Sequence, residues 1–376
     1  MISFVFIILA IWRILLFTTA WYGSLTLKFT PTFPYSEELL IRSGLPSWLW
    51  SFANFDGVHY LTIAKSGYSA QFTQVFFPLY PLLIKALSII FPFFNLILVG
   101  LIISNLSFLL ALLFFDRLLK LDYHPTKIKW MLIFFLLFPT SFFLGSLYTE
   151  AFFFLLVITS FYAARQKKWW LAGLLGGLAG ATRLVGIFLL PALLWEWRKE
   201  KKVKNIIHLL YSPILYLIPL GLLAYIIYLQ LKFGDWLYFW HAQPIFGAQR
   251  SGGGIILPPQ VLFRYLKILF TLTPHNYKFW VSLSELLSSI VAIVLLIIAS
   301  FQKIRPSYLI FSFLAVITPT LSGTFSSMPR YILVAFPIFM LLGLIESRLI
   351  KIVLLALSAF LLSIFTILFT TGYWIG

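Results

Sequence analysis

The sequence predicts an all-α protein that crosses a membrane about eleven times. Of its 376 residues, 61% are hydrophobic, 19% are aromatic and only 10% are charged. Apolar runs of about 20 residues recur along the chain, which is the length a helix needs to cross a bilayer with its own backbone hydrogen bonds satisfied. Basic residues cluster between these runs, and their positions predict the orientation of the helices.

Sixteen of the 28 lysine and arginine residues lie in five short loops, at 117–129, 165–168, 198–204, 303–305 and 348–351. Two apolar runs separate each loop from the next. Because cytoplasmic loops are enriched in basic residues, we expect these loops and the N-terminus inside and the C-terminus outside. The net charge of +17 therefore does not indicate nucleic-acid binding, since the basic residues form no continuous stripe.

This orientation predicts spans of unequal length. Residues 2–22 lack the basic start and the short apolar core of a signal peptide and contain Arg13, so we expect an uncleaved first span. The pairs within 130–164 and 169–197 are short enough to be re-entrant or strongly tilted. The predicted spans are 2–22, 95–116, 130–147, 150–164, 169–182, 184–197, 206–230, 280–301, 307–322, 331–346 and 352–371.

We interpret residues 1–376 as one transmembrane domain with two long outer segments, 23–94 and 231–279. In the first, two prolines and Lys85 interrupt the apolar run "VFFPLYPLLIKALSIIF", which favours a helix lying at the membrane surface. The alternative is that 76–92 crosses the membrane. The second contains "SGGG" and two prolines, which are typical of a mobile loop. The chain has no cysteine, which excludes disulfides and thiolate metal sites.

Four ionisable residues stand out because the predicted topology places all of them on the outer side: Asp56, Glu150, Arg183 and Arg330. An ionisable side chain within or beside an apolar span costs several kcal/mol unless it faces a cavity or a partner. Each is therefore a candidate functional residue. For Asp56 the structural alternative is a helix N-cap.

The chemistry of the four residues is complementary. A carboxylate can act as a general base on a hydroxyl or as a metal ligand, and guanidinium groups hold phosphate through permanently charged hydrogen bonds. One acid with two arginines suggests transfer from a phosphate-bearing donor. On the outer side that donor is expected to be a lipid phosphate, because nucleotide sugars are not normally available there.

The motifs resemble those of a known family. "FDGVHYLTIAKSGYS" followed by "VFFPLYPLLIK" is similar to the "WDGxHYxxIAxxGY...FFPLYP" signature of the PIG-V family, the second mannosyltransferase of GPI-anchor synthesis and its prokaryotic relatives. "FPTSFFLGSLYTEAFFFLL", "LAGLLGGLAGATRLVGIFLLPALL" and "RYILVAFPIF" follow in the family's order, so the resemblance runs from 52 to 340. The chain departs from the signature at Phe55, where the family usually has Trp.

The resemblance implies a GT-C type integral-membrane glycosyltransferase with interfacial helices in its first outer loop. It implies an inverting enzyme that takes a sugar, with mannose preferred, from a polyprenyl-phosphate donor, so that a beta-linked donor gives an alpha-linked product. By position, Asp56 corresponds to the catalytic base. From charge and location we assign Arg183 and Arg330 to the departing lipid phosphate.

Five further residues are candidate contacts of the acceptor or the donor: His59, Glu150, His241, Gln243 and Arg250. For His59 the alternatives are orienting Asp56 or holding a metal, and for Glu150 an ion pair with Arg183. The other three could be loop residues without a chemical role. No cofactor is firmly predicted, and a divalent metal stays open because the outer segments contain no ligand cluster of recognised spacing.

The expected partners are a polyprenyl-phosphate sugar, a glycan, lipid or protein acceptor, and membrane lipids. The expected location of the active site is the extracytoplasmic face, of the plasma membrane in a prokaryote or of the endoplasmic reticulum in a eukaryote. Two other functions stay open, a lipid-linked saccharide transporter or flippase and a non-catalytic membrane subunit. A transporter would favour internal repeats and charges near the membrane midplane, whereas here the charges are predicted at one surface.

Overall fold

The computed structural model describes residues 2–202, 206–247 and 250–375, so Lys204 of the third basic loop lies outside the described residues. The predicted all-α class is confirmed: no described residue lies in a β-strand, and one isolated bridge joins Ile256 and Ser322. In order, the α-helices α1 to α18 are Ile2–Thr26, Ser36–Leu39, Ser47–Trp50, Asp56–Ser66, Leu79–Ile90, Leu96–Leu119, Pro125–Leu136, Glu150–Arg165, Trp169–Thr182, Leu189–Glu200, Pro213–Phe233, Tyr238–His241, Pro258–Thr271, Tyr277–Phe301, Pro306–Thr320, Met328–Tyr331, Pro337–Leu344 and Arg348–Thr370.

Five of the described helices, α1, α6, α11, α14 and α18, are long and apolar enough to cross a membrane. They correspond to the predicted spans 2–22, 95–116, 206–230, 280–301 and 352–371. Together with the all-α class they support a polytopic integral-membrane protein.

The remaining predicted spans are shorter or broken. The 16 residues of α8 rise about 24 Å, less than the hydrocarbon thickness of about 30 Å. The spans predicted at 130–147, 184–197 and 331–346 are each a short helix joined to a turn of 3₁₀ helix. Apolar composition indicates that these segments lie in an apolar environment, but it does not ensure that each forms one continuous helix.

The break between α7 and α8 lies deep in the protein. Residues 140–150 are all buried, so their irregular backbone is shielded from lipid by neighbouring helices. Non-helical backbone is tolerated at membrane depth only under such conditions. Helix α6 packs against α8, α8 against α9, and α17 against α7, which surrounds this segment with protein.

Close packing of α9 on α11 depends on small residues. Gly177 and Gly221 face each other, and a Cβ on Gly221 would overlap the carbonyl oxygen of Gly177. Gly173 and Gly176 extend the same stripe against Leu217 and Ile218. Glycine at such positions lets two membrane helices approach closely, and this contact fixes α9, which ends directly before Arg183.

Four short helices, α2 to α5, occupy the predicted first outer segment. Helix α5, Leu79–Ile90, rises about 18 Å and is too short to cross a bilayer alone. In the second long segment, α12 and α13 flank the glycine-rich stretch. The assignment of both segments to the outer face stays a prediction.

Candidate active site

Four of the predicted residues form a continuous row of alternating charges. Arg330 Nη1 donates to Asp56 Oδ2 over 2.5 Å, and Arg330 Nε lies 3.3 Å from Glu150 Oε1. Arg183 Nη1 donates to the same Glu150 oxygen over 2.5 Å. The structure therefore joins residues that the sequence separates by up to 274 positions.

The exposed fraction of the side chain differs among the four residues of this row. The Glu150 side chain is 1% exposed and that of Arg330 7%, whereas Arg183 retains 15% and Asp56 19%. Buried charges are tolerated when they are paired, which accounts for Glu150 between two arginines. The two ends of the row, Asp56 and Arg183, remain accessible.

The row forms one wall of a cavity of about 230 Å³. Gln243 and Arg250 also line this cavity, and Arg250 Nη1 lies 3.4 Å from Gln243 Oε1. The two residues belong to the segment between α12 and α13. Six of the eight residues predicted from the sequence thus line one cavity: Asp56, Glu150, Arg183, Gln243, Arg250 and Arg330.

A strained turn orients Asp56. Phe55, directly before α4, has φ 56° and ψ −114°, a conformation that favours glycine. The Tyr148 hydroxyl accepts the Asp56 backbone N–H over 3.2 Å and donates to the Asn54 carbonyl over 2.9 Å. Strain of this kind persists only where the surroundings fix it, and Tyr148 supplies one such restraint.

Packing of the Phe55 ring supplies the other restraint. Its centroid lies 4.6 Å from that of Phe33, 5.1 Å from Trp374 and 5.7 Å from Phe369. The residue that departs from the family signature is therefore an aromatic anchor. An aromatic side chain at this position holds the turn that aims Asp56 into the cavity.

Arg330 is carried by a second turn of unusual geometry. Ser327, directly before α16, has φ 68°. Burial alone would lower the pKa of Arg330, but the charges of Asp56 and Glu150 outweigh burial and hold this pKa well above its ordinary value. The guanidinium also lies 5.3 Å from the ring centroid of Tyr148. Arg330 is therefore a permanent cation fixed from several sides.

His59 lies beside this cavity and does not line it. Its ring stacks on Phe76 at 4.9 Å with an interplanar angle of 19° and meets the edge of Phe246 at 5.4 Å. Its Nδ1 is buried without a hydrogen-bond partner. Burial lowers the pKa of His59, and the charge of Asp56 opposes this shift only in part. The ring is accordingly neutral at pH 7.

His241 points away from the cavity. Its Nδ1 lies 2.7 Å from Asp235 Oδ2, and its side chain is 49% exposed. The local Asp235 partner accounts for this orientation. Its predicted contact with a substrate stays a prediction.

The cavity contains residues that sequence reasoning missed or treated as packing. Tyr60 lines the wall beside Asp56, and its hydroxyl lies 3.5 Å from Thr149 Oγ1. Burial raises the pKa of Tyr60, so this group stays protonated.

Glu285 supports the segment before Arg330 from outside the cavity. A lone carboxylate inside an apolar run was the signal that could have identified it.

Within the described ranges, no group of three or more His, Asp or Glu side chains is arranged to hold a metal ion. The structure thus offers no preformed cluster of protein ligands around Asp56 and His59.

In a comparison with family models, residues 1–235 match the family described as mannosyltransferase (PIG-V). The chain belongs to the PIG-V family. It is therefore a mannosyltransferase and an integral membrane protein. No curated protein and no solved structure matches the chain.

The PIG-V match includes Asp56, Glu150 and Arg183 and ends before Gln243, Arg250 and Arg330. The structure nevertheless brings Arg330 into direct contact with two residues of the matched region. The cavity is thus built from both parts of the chain.

Proposed function

We propose that this PIG-V protein transfers mannose from a polyprenyl-phosphate donor to an acceptor hydroxyl, with inversion, at the extracytoplasmic membrane surface. The observation that supports this most directly is the row Asp56, Arg330, Glu150 and Arg183 at one cavity wall. A carboxylate and two arginines are the groups that such a transfer needs.

Asp56 is the proposed general base. Its carboxylate takes the proton of the acceptor hydroxyl as that oxygen bonds to the anomeric carbon from the face opposite the phosphate. The bond between the anomeric carbon and the phosphate oxygen breaks, and its electron pair leaves with the lipid phosphate. The geometry parallels that of inverting hydrolases, and a beta-linked donor gives an alpha-linked mannoside. The 19% exposure of the Asp56 side chain supports this role because the acceptor can reach it.

Arg183 and Arg330 are the proposed partners of the donor phosphate, where negative charge develops as the bond breaks. Arg330 is paired with Asp56 in the structure. A bound phosphate would attract Arg330 and leave the Asp56 carboxylate available to the acceptor hydroxyl. Donor binding and activation of the base are thereby linked.

Glu150 is proposed as the anion that holds both arginines in place. Its 1% exposure and its two contacts favour this role over a direct acceptor contact. Gln243 and Arg250 are the proposed sugar or acceptor contacts because both line the cavity. For His59 we propose a packing role beside Asp56, since Phe76 lies against its ring.

The test is a transfer assay with the purified protein in detergent or lipid. Polyprenyl-phosphate mannose and GDP-mannose are offered separately with a panel of glycolipid, polymer and peptide acceptors, and the product anomer is determined by NMR. Transfer from the lipid donor alone, with an alpha-linked product, would support the proposal. Transfer from GDP-mannose alone, or a beta-linked product from a beta-linked donor, would contradict it. Addition of EDTA tests the metal requirement.

A further inference from the structure

A carboxylate outside the cavity occupies one of the candidate membrane spans. Glu285 lies in α14, Tyr277–Phe301, and is 5% exposed. An acid within a membrane span is costly and is retained where it has partners and a function. None of the roles proposed above uses this residue.

The partners of Glu285 are all near one turn. Its Oε2 accepts the hydroxyl of Tyr265 from α13 over 2.7 Å. That hydroxyl accepts the backbone N–H of Phe325 over 3.1 Å and lies 3.0 Å from Thr324 Oγ1. A tyrosine hydroxyl has one hydrogen to donate and two lone pairs to accept, so donation to Glu285 leaves both acceptor sites for the 324–327 turn.

Two further groups of this turn lie near Glu285. They are the backbone N–H of Ser327 and the hydroxyl of Ser326, both on the side of its carboxylate. Ser326 and Ser327 are 8% and 0% exposed, so these donors depend on protein partners inside the fold. Glu285 thus lies beside Ser326 and Ser327 and is linked to Thr324 and Phe325 through the Tyr265 hydroxyl.

The turn 324–327 leads directly to Arg330. Ser327 adopts φ 68°, and its carbonyl accepts the N–H of Arg330 over 3.0 Å. A left-handed conformation is unfavourable for a non-glycine residue and persists where neighbouring groups fix it. Arg250 Nη2 lies 3.4 Å from the Ser327 hydroxyl, and the Tyr265 hydroxyl, which bonds Glu285, holds the N–H of Phe325 two residues earlier.

We propose that Glu285 is a positioning residue that fixes the 324–327 turn and thereby holds Arg330 beside Asp56 and Glu150. It acts through Arg330 and does not touch the substrate. This inference rests on the proposed role of Arg330 in donor use, and it identifies what keeps that guanidinium in place. The competing interpretation is that Glu285 only fastens α13 to α14 through Tyr265.

The first experiment measures backbone hydrogen exchange, which needs no substrate. In Glu285→Gln we expect peptides covering 324–331 to exchange faster than in the unaltered protein, while peptides from α15 and α18 stay unchanged. Ser289→Ala is the matched control, because Ser289 is 1% exposed on the same helix and its hydroxyl donates to the backbone carbonyl of Glu285. Unchanged exchange at 324–331 in Glu285→Gln would overturn the proposal.

The second experiment is a double-mutant cycle on mannosyl transfer from polyprenyl-phosphate mannose. Glu285→Gln alone is expected to lower kcat/KM about tenfold to a hundredfold, as displaced catalytic groups do. In an Arg330→Gln background the same change should have less than about a twofold effect, since residues that act as a unit are non-additive. Equal effects in both backgrounds would reject action through Arg330.

Tyr265→Phe provides a second variant should Glu285→Gln not fold. It removes the bridging hydroxyl and introduces no new polar group, and we expect the same faster exchange at 324–331. If the unaltered protein does not use the lipid donor, the proposed function fails, whereas the hydrogen-exchange result still decides the role of Glu285.

Discussion

The carboxylate of Asp56 and the guanidinium of Arg330 are joined by a 2.5 Å hydrogen bond, although each lies on a different short helix that begins after a residue with positive φ. Phe55 precedes the first helix and Ser327 the second. The ion pair is thus held by two strained turns, each restrained by its own set of contacts. The predictions below test the groups that meet there.

Asp56→Asn should abolish most mannosyl transfer. The substitution keeps the shape of the side chain and removes the proton acceptor, and loss of a general base typically lowers the rate about a hundredfold to ten-thousandfold. The measurement is kcat with the lipid donor at saturating acceptor. Asp235→Asn is the control, because Asp235 pairs with His241 and does not line the cavity. Undiminished transfer by Asp56→Asn would exclude Asp56 as the base.

Arg183→Gln and Arg330→Gln should both raise the KM for the donor, but with different effects on stability. Removing Arg183 leaves Glu150 paired with Arg330, whereas removing Arg330 leaves Asp56 without its cation. Loss of one partner of a buried pair costs about 3–5 kcal/mol, so Arg330→Gln should show the larger drop in thermal midpoint.

A distant arginine provides the control for these two variants. Arg165 pairs with Asp122 over 2.6 Å and lies outside the cavity lining. Arg165→Gln should lower the thermal midpoint and leave the donor KM unchanged. Should all three variants lose stability alike with no change in donor KM, Arg183 and Arg330 are structural and the phosphate-binding role is excluded.

Replacing Phe55 by Trp, the family's usual residue, should preserve activity, whereas replacing it by a small residue should reduce both activity and stability. Phe55→Trp keeps an aromatic ring against Phe33 and Phe369 and should retain activity. Phe55→Ala removes the packing that opposes the strained φ, which costs about 3–5 kcal/mol for a buried Phe, and it should also lower kcat. Thermal unfolding and transfer assays measure both effects. Equal activity in the two variants would show that the ring does not orient Asp56.

His59 should make stability depend on pH below neutrality. Burial lowers its pKa from 6.5 in the folded protein. Between 6.5 and that lower value, the unfolded chain binds a proton that the folded protein does not, so stability is full above pH 6.5 and falls as the pH drops toward the folded pKa. His59→Phe should remove this part of the slope of thermal midpoint against pH. An identical slope in both proteins would contradict the prediction.

The absence of cysteine makes the predicted topology testable by single-cysteine labelling. Gly253→Cys, in open space within the second long segment, should react with a membrane-impermeant maleimide on intact cells. Lys127→Cys, exposed in the first basic loop, should react only after permeabilisation. The reverse pattern would place the active-site cavity at the cytoplasmic surface.

Much of the site could be predicted because charges in an apolar chain are conspicuous. Asp56, Glu150, Arg183 and Arg330 were recognised from the energetic penalty for ionisable groups near spans, and the topology grouped them before any contact was known. The sequence could not predict which arginine pairs with which carboxylate. Arg330 reaches Asp56 only through the tertiary packing that brings it beside α4 and the 140–150 segment.

The positions at which the predicted spans are interrupted were harder to predict from the sequence. Residues 130–147 are predominantly apolar, yet α7 ends at Leu136 and the chain turns through buried irregular backbone. Composition reports what can lie in an apolar environment and does not report whether lipid or protein supplies that environment. Glu285 carried a sequence signal, as a lone carboxylate in an apolar run, but the role proposed for it depends on the turn that it approaches in space.

The row of four alternating charges also determines how an anion can enter the cavity. Asp56, Arg330, Glu150 and Arg183 sum to zero net charge, so each arginine of this row has a carboxylate partner in its low-dielectric surrounding. In the proposed mechanism, an arriving lipid phosphate replaces a carboxylate as the partner of an arginine. Recognition is then an exchange of ion pairs, and departure of the spent lipid phosphate restores the neutral row for the next cycle.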